Sequence, residues 1–176
     1  EKTFLNKDLR IHFRDEKTGE EELFHEQEGI AGFIREMNEN QETLSSILNI
    51  HGVSNDIEVD VSFQYVNSMS ETIISYCNNI PTNEGGTHVT GLRGGMTRLI
   101  NGYVKDLGIS KDTFDGRDIR SGLVAVVSIK HPDPQYEGQT KTKLGNSNAK
   151  IAVEDVLQRE GQKVMDLRVV DLKEII

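Results

Sequence analysis

The chain has 176 residues, 35% hydrophobic and 28% charged, with no tryptophan, which suits one globular domain with a modest core rather than two. Twenty basic against twenty-nine acidic residues leave a formal charge of −9, so the surface as a whole is no phosphate-neutralising, DNA-binding face. Cys77 is the only cysteine; it excludes an internal disulfide or a paired-cysteine zinc or redox site, and the reading is a protein of the reducing cytoplasm. No apolar run approaches the ~20 residues that span a bilayer, so no membrane partner is expected.

The opening, EKTFLNKDLRIHF, has no initiator methionine and alternates almost at once; it reads as a piece of a longer polypeptide. Leu9, Ile11 and Phe13 alternate with Arg10, His12 and Arg14, the period of a half-buried strand, and ELFHE returns as the second strand of a hairpin. Ile30, Phe33, Ile34 and Met37 form a helical stripe. The polar NENQETLSS that follows reads as a connection. From Ile57 to Tyr65 apolar residues alternate without a break, and the expected partner strand is ETIISYCNN, reached through the turn NSMS. NNIPTNEGGTH is irregular. A long helix is predicted from near Thr87, with Met96, Leu99, Ile100, Tyr103, Val104 and Leu107 inward and Gly108 as its stop. FDGRDIRSG reads as a turn or short helix feeding a core strand, Leu123 to Ile129. A last helix begins after Asn146, turns Val153, Val156 and Leu157 inward, and is weakened or broken at Gly161 before a second stripe at Val169, Leu172 and Ile176. The sum is an α+β fold, a mixed sheet with helices packed on one face.

Few constellations carry chemistry. Cys77 ends an apolar strand, which fits a small core residue better than a nucleophile. His12, His25, His51, His88 and His131 show no HxH, HxxxH or HExxH spacing, so no metal site is expected. The glycine turn in EGGTH opens a helix and would present N–H groups to an anion, but a chain reversal with Thr87 as N-cap explains it better. No GxxxxGK[ST] or GxGxxG motif occurs. Residues 93–130 hold seven Lys or Arg against four Asp, a local +3; Arg93, Arg98 and Arg120 are candidates for a DNA path, although a solvated helix face explains such charges equally well. In YEGQTKTKLGN, Lys141 is a flexible point charge suited to a terminal phosphate and Gln139 can donate a second hydrogen bond. One residue apart, they would point the same way from an extended loop. Spacing alone fits a solvated loop just as well.

The runs NNIPTNEGGTHVTGLRGGMTRLINGYVKDLG and GRDIRSGLVAVVSIKHPDPQYEGQTKTKLGN resemble the segment following the ATPase domain in the ATPase subunits of bacterial type IIA topoisomerases, the DNA gyrase B and topoisomerase IV B family. LFHEQEGIAGFIREMN and LRIHFRDE resemble the family's earlier helix and strand, so the likeness runs from about Leu5 to Asn148. It implies a single transducer domain over 1–176 with the fold of the second domain of ribosomal protein S5. It also implies that Gln139 and Lys141 reach a neighbouring ATP site and touch the γ-phosphate, with Lys141 assisting hydrolysis. ATP and Mg²⁺ would be bound mainly by an ATPase domain outside this chain. The implied partners are that ATPase domain, a second copy of the same polypeptide, the breakage-reunion subunit and DNA. Gly94 and Gly95 stand where relatives usually carry larger residues, at a helix cost of about 1 kcal/mol each, which would shift the effective helix start to Met96. Beyond Lys150 the sequence fits the family poorly and is expected to be a helical extension. Two rival readings are an S5-like nucleic-acid-binding module and a small-molecule kinase; the kinase would need a glycine-rich phosphate loop, and none is found.

Overall fold

The computed structural model describes residues 2–167. A short helix, α1 (Lys2–Leu5), precedes a hairpin of β1 (Arg10–Arg14) and β2 (Glu21–His25), followed by α2 (Ile30–Met37). A five-stranded mixed sheet then collects β3 (Leu48–Ser54), β4 (Ile57–Tyr65), β5 (Thr72–Cys77), β6 (Ile80–Pro81) and β7 (Leu123–Lys130), in the order β3-β4-β7-β5-β6. Between β6 and β7 lie α3 (Thr87–Asp106) and α4 (Gly116–Ile119); after β7 come the short strands β8 (Tyr136–Glu137) and β9 (Lys143–Leu144), then α5 (Ser147–Asp166).

The alternation in β4 sorts the sheet's two faces. Val59, Val61, Phe63 and Tyr65 point to the side covered by α3 and α5, with Ala125, Val127 and Ile129 of β7 beside them. Val124 and Val126 point the other way and meet Ile30 and Ile34 of α2. The two long helices thus share one face, and the short α2 covers part of the other. The unbroken run Leu123–Ile129 suits a strand buried on both sides.

Two expectations about strands change, and one strand, β3, is new. β4 does not pair with β5: β7 lies between them, antiparallel to β4 and parallel to β5, with Ile73 opposite Ala125. The partner on the other side of β4 is β3, in a stretch with no clean alternation. Its fifth residue is Gly52, where a Cβ would stand 3.1 Å from Val156 Cγ1; α5 fills the place that an apolar side chain would otherwise mark. Asn55 and Asp56 join β3 to β4 with φ of 51° and 60°, the backbone of a type I′ hairpin turn. Finally, the β1–β2 hairpin forms in register, Ile11 opposite Phe24, but it is not half-buried. Phe13 is 56% exposed, Phe24 43% and Ile11 37%, so one face presents a row of uncovered apolar side chains.

Four of the five glycines of the long helices, all but Gly102, are contact points. α3 runs from Thr87 straight through Gly94 and Gly95 rather than starting at Met96, and α5 continues through Gly161 without a break. A Cβ on Gly91 would stand 2.6 Å from the Lys150 carbonyl oxygen, one on Gly95 2.6 Å from Leu157 Cδ1, and one on Gly161 2.7 Å from Leu99 Cδ2. The propensity cost is offset by the close packing of α3 on α5 that bare backbone permits. Gly108 ends α3 as expected, at φ 66°, with its N–H on the Lys105 carbonyl and that of Ile109 on Val104, a left-handed C-terminal cap. The expected stripe at Val169, Leu172 and Ile176 lies outside the described residues.

Candidate functional site

Strands β8 and β9 pair Tyr136 with Leu144 and Glu137 with Lys143, and hold residues 138–142 as a protruding loop. Gln139 and Lys141 are exposed. Among the described residues neither side chain has a hydrogen bond or ion pair, so both are free to meet something else. The loop is not extended. Lys141 sits in the left-handed region at φ 54°, a conformation that costs a non-glycine residue about 1 kcal/mol or more. The two-residue spacing therefore does not by itself set the side chains parallel.

The loop rests on the EGGTH turn, whose residues lie more than fifty positions earlier. The Glu84 N–H donates to the Thr142 carbonyl at 3.0 Å, and the Thr142 hydroxyl donates to the Glu84 carboxylate. Two residues on, the Leu144 N–H donates to the Gly85 carbonyl at 3.1 Å. Gly86 forms a parallel bridge with Leu144. Its φ of 140° and ψ of −164° are nearly glycine-only, and a Cβ there would stand 2.4 Å from the Leu144 carbonyl oxygen. The glycine pair therefore lets β9 lie directly against the start of α3. Gly86, not Thr87, is the N-cap; Thr87 is the first helical residue, caps nothing, and its buried Oγ1 has no partner.

Beneath the turn, His88 is completely buried. Its Nε2 lies 3.0 Å from Thr82 Oγ1, which lies 2.7 Å from Ser75 Oγ, and Ser75 donates to the Thr82 carbonyl. With the serine proton used there, the threonine donates to serine and His88 donates from Nε2, which leaves Nδ1 as a bare, unpartnered acceptor. Burial pushes the His88 pKa down to about 4, so the ring is neutral at pH 7 and serves as an internal strut.

The stem of the loop is tied to α5 as well. His131, buried just past the end of β7, accepts the Asp133 N–H at Nδ1 and lies 3.0 Å from Asn148 Oδ1 through Nε2. The Asn146 side chain accepts from the Gln135 N–H at 2.6 Å and donates to the Asp133 carbonyl. Both long helices therefore begin at the base of this one loop. Beside it opens a polar cleft of about 540 Å³ lined by Glu71, Glu84, Glu137, Arg93 and Lys143 among others. The Glu137 carboxylate, 2.7 Å from Lys143, holds that amine's pKa up.

The three arginines considered for a DNA path, Arg93, Arg98 and Arg120, are not gathered into one free patch. Arg93 and Arg120 converge on Glu71, at 2.8 and 2.9 Å. Arg98 faces a different side of α3 and pairs with Glu154 at 2.8 Å. Cys77 is fully buried and burial pushes its thiol pKa up, which keeps it protonated and inert. Among the described residues no group of three His, Cys, Asp or Glu could hold a metal ion. Glu84, Thr142, His131 and Asn146 fasten the loop and its stem, and sequence reading missed them. Their only signal was to lie in or beside the two motifs, because their partners are distant in sequence.

The geometry joins the two motifs into one unit, and comparison with known proteins places that unit. A family model described as DNA gyrase B matches residues 29–176. The chain belongs to the DNA gyrase B family. It is 44% identical to the B subunit of DNA topoisomerase 4 from Staphylococcus epidermidis over 167 residues, covering 91% of this chain and 25% of that protein. It is also 44% identical to the B subunit of DNA gyrase from Archaeoglobus fulgidus over 157 residues, 89% of this chain and 25% of that one. A crystal structure of the 43K ATPase domain of Thermus thermophilus gyrase B in complex with an aminocoumarin superposes with a TM-score of 0.91 at 33% identity, covering 98% of this chain and 48% of that one. The chain thus spans about a quarter of the length of these two full-length relatives. The family match extends to residue 176, so the segment beyond Lys150 belongs to the family pattern, contrary to the poor fit expected from its sequence. Here α5 carries it forward as a continuous helix to Asp166.

Proposed function

We propose that this chain is the transducer segment of the ATPase subunit of a type IIA DNA topoisomerase. On this reading it senses the γ-phosphate of ATP through Gln139 and Lys141 and relays hydrolysis toward DNA strand passage. The observation that carries the proposal is a lysine and a glutamine, unpaired among the described residues, on a protruding loop whose base is fastened to the starts of both long helices. Family membership supports ATP as the ligand: a relative of high structural similarity is described as an ATPase domain. The uncovered apolar face of the β1–β2 hairpin supports the reading further, because exposed apolar rows mark contact surfaces and the relatives extend well beyond this chain. The ATPase domain of the same polypeptide is the proposed cover. It is also the proposed site of most contacts to ATP and Mg²⁺, with a second copy of the polypeptide, a breakage-reunion subunit and DNA as partners of the assembly.

Hydrogen bonds to a charged group contribute about 1.5–3 kcal/mol each, and moving a two-state equilibrium from 1:99 to 99:1 takes about 5.5 kcal/mol. Two contacts at Gln139 and Lys141 are marginal alone, so dimerisation of the ATPase domains contributes the rest, and the loop is the coupling element. Lys141 also places a positive charge where the transferring phosphoryl group gains negative charge, a term whose removal costs about a hundredfold in rate. In the full-length protein Lys141→Ala is therefore expected to lower ATP turnover about a hundredfold with little change in melting temperature; undiminished turnover refutes the assignment.

The competing reading, a nucleic-acid module, draws on Arg93, Arg98 and Arg120. Each guanidinium is already paired with a carboxylate, so phosphate binding there would first break an existing pair. Duplex DNA binding of residues 1–176 measured across salt separates the two readings: a steep salt dependence at micromolar affinity favours the module.

A further inference from the structure

We infer that Glu84 is the positioning residue of the phosphate-sensing loop, an inference that rests on the function proposed above. Lys141 adopts a left-handed backbone although its own side chain makes no hydrogen bond or ion pair among the described residues, so something beside it must hold that conformation. Its two neighbours do. The Thr142 hydroxyl donates to the Glu84 carboxylate and its carbonyl accepts the Glu84 N–H. Because an ionised carboxylate can only accept, the Thr142 proton is committed to Glu84, and the Thr140 hydroxyl, 2.9 Å away, must donate to Thr142 Oγ1. The result is a directed relay, Thr140 to Thr142 to Glu84, that clamps the residue before and the residue after Lys141 onto the turn that starts α3. Nothing in the relay touches Gln139 or the Lys141 amine, so both keep their donors for a ligand.

Glu84 therefore sets where the amine points and links that direction to α3. The relay is local and lies at the surface, with Glu84 and Thr140 exposed and Thr142 half-buried, so its loss leaves the packed core in place. It acts on the rate of the phosphoryl step rather than on affinity, because most of the nucleotide is held elsewhere.

The test uses the full-length protein and steady-state ATP hydrolysis. Glu84→Ala and Thr142→Val are each expected to lower kcat about tenfold, that is about 1.4 kcal/mol of barrier, with KM for ATP changed less than about twofold. Glu84→Gln keeps an acceptor for the threonine and is expected to recover most of the rate, which a purely structural role would not give. The double variant should be no worse than either single one, and Glu84→Ala should add nothing in a Lys141→Ala background. If Lys141→Ala lowers turnover while both Glu84→Ala and Thr142→Val leave kcat intact, the positioning role is wrong and the phosphate-sensing reading stands. If Lys141→Ala has no effect, the reading beneath it is wrong. A Glu84→Ala effect of full size in the Lys141→Ala background also overturns the inference.

Discussion

Replacing Gly86 with alanine isolates the contact that joins the two motifs. The residue lies at φ 140° and ψ −164°, a region essentially reserved for glycine, and forcing an L side chain into it costs about 1–3 kcal/mol. The new methyl would stand 2.4 Å from the Leu144 carbonyl oxygen and 2.6 Å from its nitrogen. Both are backbone atoms, so no rotamer change relieves the clash; β9 and the start of α3 must part. That weakens the Leu144 N–H to Gly85 carbonyl bond, worth a further ~1 kcal/mol. The total is about 2–4 kcal/mol, and at about 2–4 °C per kcal/mol for a chain of this size the melting temperature should fall by roughly 5–15 °C. Gly138→Ala is the control. Its φ is 80°, but nothing lies within 4 Å of the added methyl, so only the backbone term of ~1 kcal/mol remains. Differential scanning calorimetry of the two variants beside the parent decides the matter. Equal, small shifts for both would show that the approach of β9 to α3 is not a rigid contact.

The other predictions concern the interior. His88 has a folded pKa depressed to about 4 by burial, against an ordinary unfolded value near 6.5, so its contribution to stability is fully present above about pH 6.5 and lost as pH falls toward 4. Urea unfolding at pH 7 and 4.5 should show the parent losing about 2 kcal/mol more than a His88→Gln variant; equal losses refute the neutral strut. The helix glycines divide by space: Gly102→Ala, with nothing within 4 Å, should stabilise by about 0.5–1 kcal/mol. Gly91→Ala should destabilise despite the same propensity gain, because its methyl meets the Lys150 backbone; matched melting shifts of the same sign count against the close α3–α5 packing. Glu71→Ala should destabilise by about 1–2 kcal/mol, because Arg120, only 19% exposed, loses its carboxylate. It should also raise duplex DNA affinity at low salt if Arg93 and Arg120 border a DNA path, which a salt titration would read directly.

Local pattern was enough to find most of the elements, and two short motifs were enough to find the family. The alternation of Ile57–Tyr65, the apolar run from Leu123 and the stripes on both long helices each encode a conformation and a buried face within a few residues, which is the range over which side-chain periodicity operates. What sits beside what is a different kind of information. β7 separates β4 from β5 because its run of apolar residues needs cover on both faces and partners on both edges, and nothing within NSMS or ETIISYCNN announces that. β3 was hidden because Gly52 yields its place to Val156. Gly94, Gly95 and Gly161 read as helix weaknesses in one dimension and are points of helix contact in three. The hairpin's alternation correctly foretold strands but not their exposure, since whether an apolar face is covered depends on what packs there. The same holds for the loop: its residue types suit a phosphate and a solvated surface equally, while the clamp from Glu84 to Thr142 bridges 58 positions and came into being only when the chain folded.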